Sequence, residues 1–182
     1  MVTTTLRTLA AASAAALLLT LAACSSTPSA GDPSATADSS ASAAVNGPCD
    51  GVTVVVDASA LDLDDDPSQE TCIETDTAIA ASDALDQAGV TTEGNEQYGD
   101  DAVCRVNGVP AEDFALIAED GSDYFETCTV MSPAFAYWAL WVQPEGGEWE
   151  YAQEGISTLQ VEPGQSIALL FSLNGEPAAP TA

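Results

Sequence analysis

The sequence predicts an α+β domain in which a mixed β-sheet packs on one main helix. Three observations predict it. Residues 52–56 read Val-Thr-Val-Val-Val, an unbroken β-branched run with the composition of a buried strand. Residues 77–88 carry a single apolar stripe at helical spacing. Two later segments, 136–142 and 167–173, place apolar side chains at every second residue, the period of a strand.

The elements follow in order. Gly51 and Asp57 bound the first strand, and the polar, Asp-rich residues 60–70 form a loop or hairpin tip. A short second strand falls near 71–74. In the helix, Ala78, Ala81, Leu85 and Ala88 make the stripe, with Ala84 beside it. Asp76 or Thr77 is expected to cap its start, and Gly89 stands where a left-handed residue ends a helix. The small side chains predict close packing on the sheet. Residues 102–106 form a short strand that ends in the turn signal Asn107-Gly108. Residues 111–131 receive no assignment, because Phe114, Leu116 and Ile117 fit a short helix and a short strand equally well. In 136–142, Trp138, Leu140 and Val142 share one face, while Tyr137, Ala139 and Trp141 share the other. Residues 143–147, Gln-Pro-Glu-Gly-Gly, turn the chain, and Trp149 and Tyr151 fall on one face of a return strand. Glu162-Pro163-Gly164-Gln165 fits a type II turn. Ile167, Leu169, Phe171 and Leu173 then alternate along the last strand. This order suits a β-grasp-like arrangement, a sheet that wraps one helix.

The N-terminus predicts export. Arg7 is the only charged residue before an apolar stretch from about 9 to 22. The stretch is too short and too rich in small residues to span a bilayer, which needs about 20 apolar residues. A basic start, a short apolar core and small residues before a cut predict a signal peptide over 1–23. Leu21-Ala22-Ala23-Cys24 resembles the lipobox of bacterial lipoprotein precursors. That resemblance implies cleavage before Cys24, a diacylglyceryl group on its sulfur, and a chain held by lipid on the extracellular face of the cell membrane. The alternative is an ordinary secretory cut near Ala22 or Ala23, with Cys24 a bystander. Residues 24–48 then form a Ser/Ala/Thr/Pro-rich tether with too little apolar surface to fold. As a flexible coil it reaches about 25–30 Å. Residues 49–175 suffice for one compact domain, and the Pro/Ala-rich tail 176–182 is expected to fray.

Charge and cysteine usage narrow the function classes. All 29 acidic residues follow the cut site, where Arg105 is the only basic residue, so the exported chain carries about −28. A chain this acidic does not hold nucleic acid by neutralising phosphates, and anionic lipid heads repel it. The bland reading of the charge is solubility. With Cys24 lipidated, Cys49, Cys72, Cys104 and Cys128 remain, an even number in an exported domain. Three connectivities are possible. Cys49–Cys72 with Cys104–Cys128 is preferred because each closes a modest loop. A four-cysteine zinc site is disfavoured, because the spacings are far from paired C-x-x-C and there is no His.

The absence of His also removes Ser-His-Asp and Cys-His arrangements, and there is no G-x-S-x-G elbow and no P-loop. No enzyme activity and no cofactor or metal are expected. Asp62-Leu63-Asp64-Asp65-Asp66 invites a calcium reading, but Pro67 stands where an EF-hand needs its glycine and Ile73 where it needs the closing Glu. A solvated loop is the preferred reading. The candidate binding site is aromatic: Tyr137, Trp138, Trp141, Trp149 and Tyr151 crowd one short stretch. Exposed on a sheet, such a group suits a planar ligand or a protein partner. Buried, it fills a second small core beneath residues 111–131.

From 52 to 171 the chain resembles the transcobalamin-like C-terminal domain, a β-grasp-type family of largely unknown function, and in particular its actinobacterial exported branch. The matching pieces are residues 52–57, Ala84-Leu85 with Ala88-Gly89-Val90, and Val103-Cys104-Arg105-Val106-Asn107-Gly108-Val109-Pro110. Tyr137-Trp138-Ala139-Leu140-Trp141, Gly147-Glu148-Trp149-Glu150-Tyr151, Gly155-Ile156-Ser157 and Pro163-Gly164 follow in order. The resemblance implies a binding or accessory module that assists uptake of a corrinoid or another small molecule. The vitamin carriers with this domain also have a large helical domain that this chain lacks, so no corrinoid-contacting residue carries over. The resemblance also places an Arg at position 105, which implies a carboxylate clamp; a structural pair with a neighbouring acid is the competing role. The alternative function is an envelope lipoprotein that acts as a structural or protein-interaction module without a small-molecule ligand.

Overall fold

A computed structural model describes residues 49–175 and 179–180. The expected signal peptide (1–23), Cys24 and the expected tether (24–48) lie outside the described residues. So does most of the 176–182 tail, of which Ala179 is exposed and Pro180 buried.

In chain order the elements are β1 (Gly51–Asp57), β2 (Gln69–Glu74), β3 (Ile79–Ala80) and helix α1 (Ala81–Gln87). Then come β4 (Thr92–Asn95), β5 (Gly99–Val106), β6 (Leu116–Ile117) and β7 (Asp123–Tyr124). The last are β8 (Ala136–Gln143), β9 (Glu150–Tyr151), β10 (Gln160–Val161) and β11 (Ser166–Leu173). The fold is α+β, mostly sheet with one short helix. Five strands form the main sheet in the order β2-β1-β11-β8-β9. β1 lies parallel to β11, with Val54 opposite Ile167, and the other pairs are antiparallel. Three two-stranded ladders, β3 with β10, β4 with β5, and β6 with β7, complete it. Among the described residues no helix is long and apolar enough to cross a membrane.

The period-two pattern decides which side of the sheet is dry. Val52, Val54, Val56, Ile73, Trp138, Ile167, Leu169 and Phe171 point inward to one core with Ala81, Ala84 and Leu85 of α1. Each fully buried aliphatic side chain here contributes about 1.5–3 kcal/mol from area removed from water. The opposite face carries a smaller cluster of Ala139, Trp141, Ala168 and Leu170, packed by Val55, Tyr137 and Trp149. The two faces of β8 divide as expected from alternation.

The helix differs from expectation. It begins at Ala81, four residues later than residue 77, and neither Asp76 nor Thr77 caps it; the residue at the cap is Ala80, with no side-chain bond. The cause is tertiary. Ile79 and Ala80 pair with Val161 and Gln160 of β10. Ala81 N–H then donates to Leu159 O (2.8 Å) and Ser82 N–H to Ile156 O (3.0 Å), so backbone carbonyls satisfy the first helical amides. Thr75 Oγ1 meanwhile donates to Thr77 O at 2.8 Å, which holds that segment in a turn outside the helix. Ala78 is therefore exposed and leaves the stripe. The C-terminal end matches expectation: Gly89 has φ +73°, and Val90 N–H donates to Leu85 O.

Residues 111–131 form a two-residue hairpin, β6–β7, in an otherwise irregular stretch. A pair of two-residue strands leaves no periodicity to read. The disulfides join Cys49 to Cys72 and Cys104 to Cys128, with Cα separations of 5.6 and 5.5 Å. The first ties the start of the domain to β2, and the second ties β5 to the segment after β7.

Candidate functional site

Where the inner face of β8 and β11 runs past the main core, a cleft of about 680 Å³ opens. Trp138, Leu140 and Leu169 line it from the sheet. Asn95, Asp101, Ala102 and Val103 line it from β4 and β5. Met131, Ser132 and Ala134 approach before β8, and residues 152–156 after β9. Its lining mixes apolar and polar groups in nearly equal share, and its size is within the range of small-molecule sites.

Several lining groups are held in place. Trp138 donates from Nε1 to Val109 O at 3.2 Å and meets Phe171 edge to face at 5.3 Å. Its ring is thereby fixed at the cleft wall. Asn95 Oδ1 accepts from the backbone N–H of Gln97 (3.0 Å) and Tyr98 (2.7 Å), shaping the β4–β5 turn. Asp101 Oδ1 accepts from Ser157 Oγ at 2.8 Å. Gly155 packs so closely that an added Cβ would lie 3.1 Å from that same oxygen. A side chain at position 155 would have to push the Asp101 carboxylate aside by a few tenths of an ångström.

The segment that carries Met131 and Ser132 is anchored by a buried carboxylate. Glu126 is 2% exposed and accepts from Tyr124 Oη (3.0 Å), Cys128 N–H (2.7 Å) and Ser132 Oγ (2.8 Å). These three donors replace the water that a buried carboxylate loses. Burial, and then the hydrogen bond to Glu126 and its charge, push the Tyr124 phenol up to about 12.

Arg105 lies in this internal network and does not line the cleft. It is 5% exposed. Nε donates to Pro110 O (2.7 Å), Nη1 to Glu93 Oε2 (2.8 Å) and Nη2 to Glu126 O. One planar guanidinium thus joins β5, β4, the turn after β5 and the segment after β7. Glu93, its ion-pair partner, has a 55% exposed side chain.

The aromatic group proposed from the sequence is divided by the sheet. Trp138 faces the cleft, and Tyr137 borders it at the end of β8. Trp141 and Trp149 pack in the outer cluster. There Trp141 stacks on Tyr151 with ring centroids 4.1 Å apart, and Tyr151 Oη lies 3.3 Å from Tyr137 Oη. The indole N–H groups of Trp141 and Trp149 are buried without an acceptor. Asn95, Asp101 and Met131 carried no signal in the sequence, and Ile156 only as part of the resemblance; they meet only because distant segments fold together.

Among the described residues, one cluster has metal-ligand spacing. Glu93, Cys104 and Cys128 converge, but both sulfurs are spent in a disulfide and offer no thiolate. In the Asp-rich loop, Asp66 Oδ1 accepts from Ser68 N–H (2.9 Å) and Ser68 Oγ (2.6 Å). Comparison with family models, curated proteins and solved structures gives no match to this chain.

Proposed function

We propose that this chain is a lipid-anchored, extracytoplasmic binding or accessory module that holds a small molecule, a corrinoid or another compound, in the cleft beside Trp138. The cleft is the observation that carries the reading. It has a preformed apolar base, polar groups at its edge and a wall of fixed aromatic geometry. The strand order β2-β1-β11-β8-β9, with β1 and β11 parallel, supports the β-grasp-like description, and the transcobalamin-like relationship rests on the sequence pieces alone. The lipobox-like residues 21–24 support the anchor, and two disulfides suit an oxidising compartment outside the cytoplasm.

The test is tryptophan emission titrated with cobalamin and with its precursor cobinamide, corrected for corrinoid absorption with free tryptophan. Saturable quenching, lost in Ala134→Phe at the cleft mouth, supports a corrinoid ligand. Quenching no greater than the control removes it.

One observation favours the second reading, a protein-interaction module. Phe125, Val130 and Met131 are exposed on the segment around Cys128, and Tyr98 is exposed nearby, where Glu96 N–H bonds Cys128 O. Cross-linking at the cell surface that captures one partner, and that Val130→Asp abolishes, would favour it.

A further inference from the structure

We propose that the cleft selects organic cations: a ligand with an apolar body and an ammonium-type head. This deepens the small-molecule reading and rests on it.

Two side chains in the cleft lining are charged, Asp101 and Glu154, and both are negative. They come from β5 and from the residues after β9, and the chain brings them together at Gly155. The backbone of Gly155 lies against Asp101, whose carboxylate is held by Ser157 Oγ. Among the described residues that bond is made at Oδ1, and Oδ2 accepts none. Below this acidic rim the walls are apolar and aromatic, with Trp138, Leu140, Ile156 and Leu169. The cleft thus has two chemically distinct ends. A cationic head at the rim meets the charge of two exposed carboxylates, and the apolar body lies against the walls below.

An anion finds no counterpart. Arg105 is the only basic residue after position 23, and its guanidinium is buried with donors committed to Pro110, Glu93 and Glu126. The remaining field of the exported chain, about −28, opposes the approach of any anion and draws a cation toward the cleft.

The test uses phenylbutylamine, phenylbutanol and phenylbutyrate, which share one apolar body and carry positive, neutral and negative heads at neutral pH. Each is titrated against the full chain in nanodiscs of zwitterionic lipid, with tryptophan emission as the readout and empty discs as the blank. The expected order is amine, then alcohol about tenfold weaker, with the carboxylate weakest. The combined change Asp101→Asn and Glu154→Gln should remove the amine's advantage and leave the alcohol unaffected, and Ala134→Phe should weaken both. Equal binding of all three, still blocked by Ala134→Phe, overturns cation selectivity and leaves the cleft reading standing. No response to any of them, or a response that Ala134→Phe does not alter, overturns both.

Discussion

At the scale of single residues, Arg105 ties three other segments to β5 through one buried guanidinium. Its neighbours are main-chain carbonyls and one acid, each from a different segment, so its loss leaves buried acceptors without donors. Arg105→Ala is expected to destabilise the fold by about 3 kcal/mol in urea unfolding. Arg105→Lys should recover little, because an ammonium cannot span three acceptors in one plane. A loss of less than about 0.5 kcal/mol, the range of an ordinary surface change, would remove its role as a strut. Tyr124 gives a second, pH-dependent signature. Its folded proton is held up to about 12 against 10.0 for the free side chain. The folded state therefore binds that proton more tightly than the unfolded chain. Its stabilisation is complete below about pH 10 and is lost as pH rises toward about 12. Unfolding followed across that window should show a fall in stability that Tyr124→Phe reduces. An unchanged slope in the variant would assign the alkaline loss to other groups. Arg105 was visible in the sequence as the lone cation. Glu126 was one acid among 29, and only its burial distinguishes it.

At the scale of elements, α1 shows how local signals yield to tertiary bonding. The apolar stripe predicted twelve helical residues from 77 to 88, and seven form. Pairing of Ile79 and Ala80 with β10, and the carbonyls of Ile156 and Leu159, replace the side-chain cap. The combined change Asp76→Ala and Thr77→Ala is therefore expected to shift stability by less than about 0.5 kcal/mol, where a capping residue would cost about 1 kcal/mol. Thermal melts of the pair decide between them. The segment after β7 shows the reverse dependence. It has little regular structure, yet the Cys104–Cys128 disulfide and Glu126 hold Met131 and Ser132 at the cleft. Replacing both cysteines by Ser should cost about 2–4 kcal/mol and weaken ligand binding beyond that loss of stability. Unchanged affinity in the folded variant would show that this segment does not shape the cleft.

At the scale of the whole molecule, charge sets the terms. With 29 acids and a single basic residue, Arg105, after position 23, the compact state works against its own repulsion, and dissolved salt screens that repulsion within about 10 Å at 0.1 M. Raising ionic strength should raise the melting temperature of the domain, while it weakens any cationic ligand at the rim. A melting temperature that falls with salt would mean that attractive ion pairs outweigh the repulsion. Opposite responses of stability and affinity in one salt series separate the global field from the local site.

The strands of the main sheet, the facing of β8 and β11, and the turns at Asn107-Gly108 and Gly164 are readable from the sequence, and loop length favoured, among three connectivities, the cysteine pairing that the fold adopts. These are legible because alternation, turn residues and loop length are local properties of the chain. The tertiary structure alone decided where α1 begins, what residues 111–131 do, and which residues meet at the cleft. Backbone amides take their partners from wherever the fold delivers a carbonyl, and a cleft is assembled from segments separated in sequence. The aromatic group illustrates the division: alternation placed Trp138 and Trp141 on opposite faces, but only the packing of β5 and of residues 131–134 and 152–156 over one face made Trp138 the wall of a cleft.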